Sequence, residues 1–314
     1  MKPTIYLYIR GNCGNQFFQY AFARKVQEMY GGNLVINYYR VRHDPAAWPG
    51  SDNLLSDFNT QYKYECRYDK GLFIFKLFKF VQILLQFKEF GVRTYRFYLW
   101  CAKTLPKLGI YYFDSAYYPF VFHKRRNIYI CGYFESPRYF ENIDEKIKRE
   151  LSPVCDVLEK NRDIYSSIVS RNSVCVTIKR MDVNNENIEG IYRYDNSYFY
   201  RAIEYMSEMV DNPLFCIFSD DIKWCRDNIR TDQDIWYETG DDTIAEKIRL
   251  MSACKHFIIH NSTFSWWVQH LSQNDNKIVI APVKWMQRDD QPIDIYEKGW
   301  IYLTPKGQIT HSHE

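Results

Sequence analysis

Short apolar runs and amphipathic segments alternate along the second half of the chain, and this alternation most constrains the fold. Four apolar runs predict strands, and periodic apolar residues between them predict helices. Thr243 and Glu246, for example, form a capping box that opens one of these helices. Strands that take turns with helices are typical of a parallel sheet covered by helices. The sequence therefore predicts an α/β fold, with strands at residues 174–178, 214–218, 257–259 and 277–280.

The N-terminal forty residues repeat this pattern on a smaller scale. An apolar run at 5–9 predicts a strand, and a glycine-bearing turn at 11–14 follows it. Phe18 and Phe22 then lie on one face of a predicted helix, which precedes a second strand at 34–36. In a βαβ unit of this kind, the loop after the first strand lies where α/β sheets bind ligands.

The length of the chain allows two domains. Its 314 residues, of which 46% are hydrophobic, can bury two cores of ordinary size. We predict an N-terminal lobe over residues 1–155 and a C-terminal lobe over 156–290. Residues 291–314 would form a tail that can pack back on the N-terminal lobe.

Charge and cysteine content exclude several classes of function. The 41 basic and 38 acidic side chains leave a net charge of +3, which argues against a protein that coats nucleic acid. No run reaches the about 18 apolar residues of a transmembrane helix, and no signal peptide is recognisable at the start. The nine cysteines are widely spread without zinc-like spacing, which predicts a reducing cytosol and no metal site.

Residues 70–113 have a different character, because aromatic and basic side chains interleave there. Apolar residues recur at spacings of four and three, as on one face of a helix. We favour the interpretation that this stripe is buried core flanked by solvated lysines. The alternative is that the segment contacts an anionic membrane surface peripherally. The stripe comprises Phe73, Leu77, Phe80, Leu84 and Phe87.

Three polar segments follow predicted strands of the second half: 179–182, 219–221 and 261–263. Ligands of parallel α/β sheets bind outside the carboxyl ends of the strands. Two cations next to a helix N-terminus suit a diphosphate, and carboxylates can accept hydrogen bonds from a base or ribose. Each segment taken alone is also ordinary turn or capping chemistry. Because the dinucleotide and P-loop fingerprints are missing, the spacing indicates only a phosphate-bearing ligand, such as a nucleotide.

Five segments resemble, in order, the α-1,2-fucosyltransferases of glycosyltransferase family 11. The opening GNCGNQFFQYA is similar to the family's GGLGNQMFQYA, and GYFESPRYF at 132–140 is similar to GYFQSEKYF. FSDD at 218–221 and NSTFSWW at 261–267 are identical to family motifs, and IAPVKW at 280–285 is similar to IAPKKW.

The resemblance implies a GT-B-like enzyme with two Rossmann-like lobes facing across a cleft, which inverts configuration and uses neither metal nor cofactor. It implies GDP-L-fucose as donor, bound by the C-terminal lobe (156–290), and a galactose-containing oligosaccharide, joined in α-1,2 linkage, as acceptor on the side of the N-terminal lobe (1–155). Bacterial members build surface polysaccharide on lipid-linked acceptors. The expected location is therefore the cytoplasm, at the inner face of the plasma membrane.

The resemblance also implies roles for individual residues. Lys179 and Arg180 would stabilise the charge that grows on the leaving diphosphate, and Asp182 is the candidate general base. Asn15 and Gln16 would face the cleft on the acceptor side. The predicted donor-binding residues are Thr177, Ser219, Asp220, Asp221, Asn261, Ser262, Thr263 and Ser265.

One segment departs from the family pattern. The family's HxRRGDY motif corresponds to residues 177–183, where Thr177 replaces the histidine and Lys179 replaces the first arginine. Lysine keeps the charge but lacks the bidentate fork of arginine, so either Lys179 acts as a point charge or Arg180 takes over. Two alternatives stay open: a transferase of the same fold that uses another nucleotide sugar, and a non-catalytic descendant that binds nucleotide or glycan.

Overall fold

The structure, a computed structural model, describes residues 2–45, 47, 50–84, 92–180, 194–286 and 293–310. The chain divides into two compact units. The first runs to Leu151 and includes a later segment that ends at Ile295, and the second starts at Ser152 and resumes at Tyr296. The first division lies close to the lobe boundary predicted after residue 155.

The first unit contains a five-stranded sheet in which every pairing is parallel. Its strand order is β3-β2-β1-β5-β4, so the N-terminal strand lies at the centre. The strands are β1 (Thr4–Tyr8), β2 (Asn33–Asn37), β3 (Lys63–Glu65), β4 (Ile110–Phe113) and β5 (Asn127–Gly132). The helices are α1 (Cys13–Tyr30), α2 (Tyr39–Arg42), α3 (Lys70–Leu84), α4 (Val92–Thr104) and α5 (Asp144–Glu150), with 3-10 turns at Ser51–Asp57, Leu105–Leu108, Pro137–Tyr139 and Glu141–Ile143.

The second unit contains a seven-stranded sheet in which all pairings are parallel except that between the two strands nearest the C-terminus. The order is β12-β11-β10-β9-β6-β7-β8. Its strands are β6 (Ser173–Ile178), β7 (Leu214–Ser219), β8 (Asp234–Tyr237), β9 (His256–Ile258), β10 (Val279–Pro282), β11 (Ile301–Leu303) and β12 (Ile309–Thr310). Its helices are α6 (Arg162–Ser170), α7 (Asn196–Met209), α8 (Ile222–Asn228), α9 (Ile244–Ser252) and α10 (Thr263–His270), preceded by a 3-10 turn at Glu159–Asn161.

The predicted strands of the second half are confirmed. All six residues of β6 are buried, as expected for a central parallel strand with both faces covered. Within the predicted tail, β11 pairs with β10 through Ile280 and Ile301, so this part extends the second sheet. Residues 293–295 group with the first unit instead.

Helix α3 buries a different face from the one that its apolar spacing suggested. Phe73, Leu77, Phe80 and Leu84 are between 54% and 63% exposed, so the favoured interpretation of this stripe as core is wrong for all four. Phe87 lies outside the described residues. The physical reason is Gly71, where a Cβ atom would lie 2.0 Å from the Tyr8 hydroxyl oxygen. Only the face of α3 that contains Gly71 can approach β1 this closely. Phe75 lies on the same face and therefore packs against the sheet.

Within the described part of the chain, no helix is both long enough and apolar enough to cross a bilayer.

Candidate active site

The second sheet brings three of the predicted polar segments to one edge. Strand β6 lies between β9 and β7, and all three run parallel. Ile178, the last residue of β6, is in register with Ser219, the last residue of β7. The loops that begin at Lys179, Asp220 and Ile259 therefore leave the sheet side by side. Asp182, the predicted base, lies outside the described residues.

Arg180 occupies the centre of this edge. Its backbone N–H donates to Asp220 Oδ1 over 2.6 Å, which ties the β6 loop to the β7 loop. Its guanidinium lies over the indole of Trp224, with 3.8 Å between Cζ and the ring centroid. The Nε atom is buried and has no hydrogen-bond acceptor in the described part of the chain. A stacked guanidinium with an unsatisfied donor suits an anionic ligand.

Two of the three predicted ligand residues in the loop after β7 accept hydrogen bonds from backbone N–H groups of the same segment. Asp221 is the N-cap of α8, and its Oδ1 accepts from the backbone N–H of Trp224 over 3.0 Å. Ser219 Oγ accepts from the backbone N–H of Asp221, also over 3.0 Å. Asp220 stays exposed to solvent. Of the FSDD residues, Asp220 is therefore the carboxylate most accessible to a ligand.

A buried glutamate that the sequence reasoning missed supports this loop from below. Glu238 Oε1 accepts from the backbone N–H of Ser219 over 2.7 Å. Its Oε2 lies 2.7 Å from Lys247 Nζ on α9, so the carboxylate is paired. Glu238 directly follows β8, and its position after a strand was the available signal.

Thr177, a predicted donor-binding residue, uses its hydroxyl within the sheet. The side chain is buried, and Oγ1 accepts from the backbone N–H of His260 over 3.0 Å. This hydrogen bond fixes the β9 loop against β6. Thr177 thus positions the loop that begins after β9.

His260, at the start of that loop, is the second residue that the sequence reasoning missed. It is 4% exposed, and neither ring nitrogen has a hydrogen-bond partner in the described chain. Burial and the nearby charges of Lys179 and Arg180 lower its pKa to about 3. The ring is therefore neutral at physiological pH and offers one donor and one acceptor. A histidine directly before the NSTFSWW segment was the signal.

The start of α10 completes this edge. Ser262 is the N-cap, and its Oγ accepts from the backbone N–H of Phe264 over 3.3 Å. Asn261 Nδ2 donates to the carbonyl oxygen of Trp285 over 2.9 Å, which anchors the loop to the segment that follows β10. Thr263 is half-buried in the first turn, and Ser265 is buried. The first turn of a helix presents backbone N–H groups and a positive dipole end to an anion.

In the first unit, the predicted acceptor-side residues lie at the start of α1. Gln16 is buried, and its Nε2 donates to the carbonyl oxygens of Gly11 and Ser51 over 3.0 and 2.9 Å. Gln16 therefore holds the β1–α1 loop. Asn15 is half-buried and lies against Gly11, where a Cβ atom would be 2.5 Å from Asn15 Nδ2.

That loop carries Arg10 into a cluster at the carboxyl edge of the first sheet. The Arg10 guanidinium lies 3.9 Å from the ring centroid of Tyr133, which follows the neighbouring strand β5. Glu135 is the third member, and burial, with a smaller contribution from Asp114, raises its pKa to about 7. Phe134 between them has a positive φ of 54°, a strained conformation for a residue with a side chain.

The signal for Glu135 was present in the sequence, because the family segment GYFQS has glutamine at this place. A carboxyl group with a pKa near neutrality can take up and release protons at physiological pH.

The family model of glycosyl transferase family 11 matches residues 4–304. The chain belongs to this family. It is 32% identical over 185 residues to an Escherichia coli α-1,2-colitosyltransferase, a match that covers 56% of this chain and 63% of the relative. It is 30% identical over 167 residues to the E. coli O-antigen biosynthesis glycosyltransferase WbnK, covering 50% of this chain and 53% of WbnK. The matches thus span about half to two thirds of the length of these relatives.

A solved structure shares the fold. The fucosyltransferase NodZ from Bradyrhizobium superposes with a TM-score of 0.51 at 10% identity, covering 87% of this chain and 94% of NodZ. This likeness, together with the two parallel sheets, confirms the predicted α/β, GT-B-like fold class.

Proposed function

We propose that this family 11 member transfers L-fucose from GDP-L-fucose to a galactose-type hydroxyl of an oligosaccharide, forming an α-1,2 linkage with inversion and without a metal ion. The observation that carries the proposal is the assembly of Lys179, Arg180 and the start of α10 at one edge of the second sheet. The five segments that resemble α-1,2-fucosyltransferases supply the donor and the acceptor class.

In this proposal the cations replace a metal at the diphosphate. When the bond between the sugar and GDP breaks, negative charge grows on the β-phosphate. Fixed donors aimed at such developing charge are a large catalytic effect. Arg180 is held in place by its stack on Trp224 and by its backbone hydrogen bond to Asp220, so it needs little reorganisation. Lys179 adds a point charge, and the first turn of α10 adds backbone N–H groups.

Two further side chains would recognise the nucleoside. Asp220, exposed at the edge, would accept hydrogen bonds from ribose or guanine. The neutral ring of His260 would hydrogen bond to the bound nucleotide through the nitrogens that lack partners in the described chain. This assignment explains why a buried imidazole lacks hydrogen-bond partners in the described chain, although such a group lowers the stability of the ligand-free protein.

Asp182 is the base that the sequence predicts to accept the proton from the acceptor hydroxyl. The variant D182N should lose turnover while binding of GDP stays unchanged, because the base acts on the acceptor and not on the nucleotide. Full turnover in D182N would exclude Asp182 from this role.

The acceptor would be a lipid-linked galactoside in the synthesis of a surface polysaccharide, in the cytoplasm. The relation to an O-antigen glycosyltransferase supports this setting. Asn15 and its loop would lie on the acceptor side.

GDP-colitose is a second candidate donor, because one relative of this chain is an α-1,2-colitosyltransferase. Colitose lacks the 3-hydroxyl of L-fucose, so the two donors differ only at one position of the sugar ring. The test is a turnover assay with a β-galactoside acceptor in EDTA, in which GDP-L-fucose, GDP-colitose and GDP-mannose compete. Formation of a fucosylated product supports the proposal. If only a colitosylated product forms, the donor is GDP-colitose and not GDP-L-fucose, and the fold assignment is unchanged. Nucleotide binding without any product would favour the non-catalytic alternative.

A further inference from the structure

The exposed face of α3 is an apolar ridge with nothing packed on it in the described chain. Phe73, Leu77, Phe80 and Leu84 follow one another at spacings of four, three and four, so their side chains form one line along the helix. Ile83 adds a fifth exposed apolar side chain. Large apolar residues that are contiguous on a surface mark an interaction site more often than isolated ones do.

The orientation of the helix is fixed from its opposite face. At its start, Asp69 Oδ1 accepts from the backbone N–H of Leu72 over 3.1 Å, and Oδ2 accepts from the Tyr8 hydroxyl over 3.0 Å. Near its end, Gln82 Nε2 donates to the Tyr98 hydroxyl over 2.8 Å, and Gln82 Oε1 accepts from the Tyr112 hydroxyl over 3.3 Å. The ridge therefore cannot turn inward without breaking part-buried hydrogen bonds at the start of α3 and buried ones near its end.

Within the described residues of α3 and α4, all charged side chains are basic. Lys70, Lys76 and Lys79 are exposed on α3, and neither α3 nor α4 contains an acidic residue. No ion pair joins Lys70 or Lys76 to an acidic side chain among the described residues. Helix α4 contributes exposed Arg93 and Arg96. Its Trp100 is also exposed, and tryptophan is enriched at membrane interfaces.

We propose that the ridge and lysines of α3 dock this protein on an anionic phospholipid bilayer. An apolar line flanked by lysines is the composition of helices that lie in the plane of a membrane interface. The 15 residues of α3 give a helix of about 22 Å, which lies along a leaflet rather than across it. A second copy of the chain fits this face less well, because symmetric pairing would bring Lys70 and Lys76 of both copies together, and neither lysine has an acidic partner among the described residues.

The docking surface goes beyond the proposed transfer reaction, since it requires neither donor nor acceptor. It would hold the first unit at the surface where a lipid-linked acceptor is found. It can therefore be tested on the full chain without any nucleotide sugar, and its failure would leave the proposed reaction untouched.

The experiment is co-sedimentation of the full chain with phosphatidylcholine vesicles, with and without phosphatidylglycerol. The variant L77Q/F80Q removes two ridge side chains from exposed positions, where glutamine keeps helix propensity. The matched control V169Q/M209Q changes exposed apolar residues on α6 and α7 of the second unit. We expect the wild type and the control to bind anionic vesicles, and L77Q/F80Q to bind at least about tenfold more weakly.

A second variant tests the charges independently of the ridge. K70Q/K76Q should lose most of the preference for phosphatidylglycerol, and added salt should weaken wild-type binding in the same way. The proposal is overturned if the wild type ignores anionic vesicles, or if L77Q/F80Q binds them as the control does. It is equally overturned if the ridge variant converts a dimer to a monomer in sedimentation and leaves vesicle binding unchanged.

Discussion

Replacing His260 by phenylalanine should stabilise the ligand-free protein and weaken nucleotide binding. The histidine is 4% exposed with two ring nitrogens that lack hydrogen-bond partners in the described chain. A buried polar atom without a partner costs about 1–3 kcal/mol. Phenylalanine keeps the ring contacts with Phe199 and Tyr194, whose centroids lie 5.4 and 5.9 Å away. Allowing for its larger volume, we expect a net gain of about 1–2 kcal/mol in the free energy of unfolding.

The assay is a thermal melt of H260F beside a matched control, followed by titration with GDP. The gain corresponds to a melting temperature higher by roughly 2–6 °C. The control is Y198F, which removes the hydrogen bond that the Tyr198 hydroxyl donates to the carbonyl oxygen of Ile259 over 2.7 Å. That variant should lose about 1 kcal/mol of stability. GDP should bind H260F about 2–10-fold more weakly, because one hydrogen bond to the nucleotide is lost. A destabilised H260F that binds GDP as the wild type does would exclude both the cost of the unpaired ring nitrogens and their contact with the nucleotide.

Three further substitutions test separate contacts. R180K should weaken GDP binding about tenfold in calorimetry, since lysine cannot keep both the stack on Trp224 and a forked contact to phosphate; unchanged affinity would contradict the assignment. T177V should lower the melting temperature, because the buried N–H of His260 loses its acceptor; an unchanged melt would show that this bond contributes nothing. E135Q should change how stability depends on pH. The pKa of Glu135 rises from 4.5 to about 7 on folding, so its contribution is fully present below pH 4.5 and is lost as the pH rises through about 7. In denaturation curves, the free energy of unfolding of E135Q should therefore rise relative to that of the wild type between about pH 5 and about pH 8. Parallel pH profiles of the two proteins would contradict this.

Much of the fold follows from apolar periodicity alone. The alternation after residue 170 predicts the central strands of the second sheet, because a buried parallel strand is a short, nearly continuous apolar run. The ends of those strands then predict which polar segments meet. The orientation of α3 could not be predicted in this way, because apolar residues occupy both sides of the helix. What decided it was the close approach of Gly71 to Tyr8, a contact that no periodicity reports.

The candidate site was predictable in place but not in detail. Lys179, Arg180 and Asp220 meet at the expected edge, since strand ends fix their neighbourhood. The roles of Thr177 and Gln16 were not predictable, because their polar atoms bond to backbone groups that only the folded loops bring within reach. His260 and Glu135 were not predicted from the sequence for a different reason. Each stands out through burial and neighbouring charge, and neither property can be read from the type of the residue.

In the proposed function, Arg180 and its neighbours hold a nucleoside diphosphate without a metal ion. The most direct test is calorimetric titration of the wild type and R180A with GDP and GDP-L-fucose in EDTA, with R162A on α6 as a matched control. We expect wild type and R162A to bind both ligands, and R180A to lose most of the affinity. Binding that requires a divalent metal, or that survives in R180A, would exclude this mode of diphosphate binding.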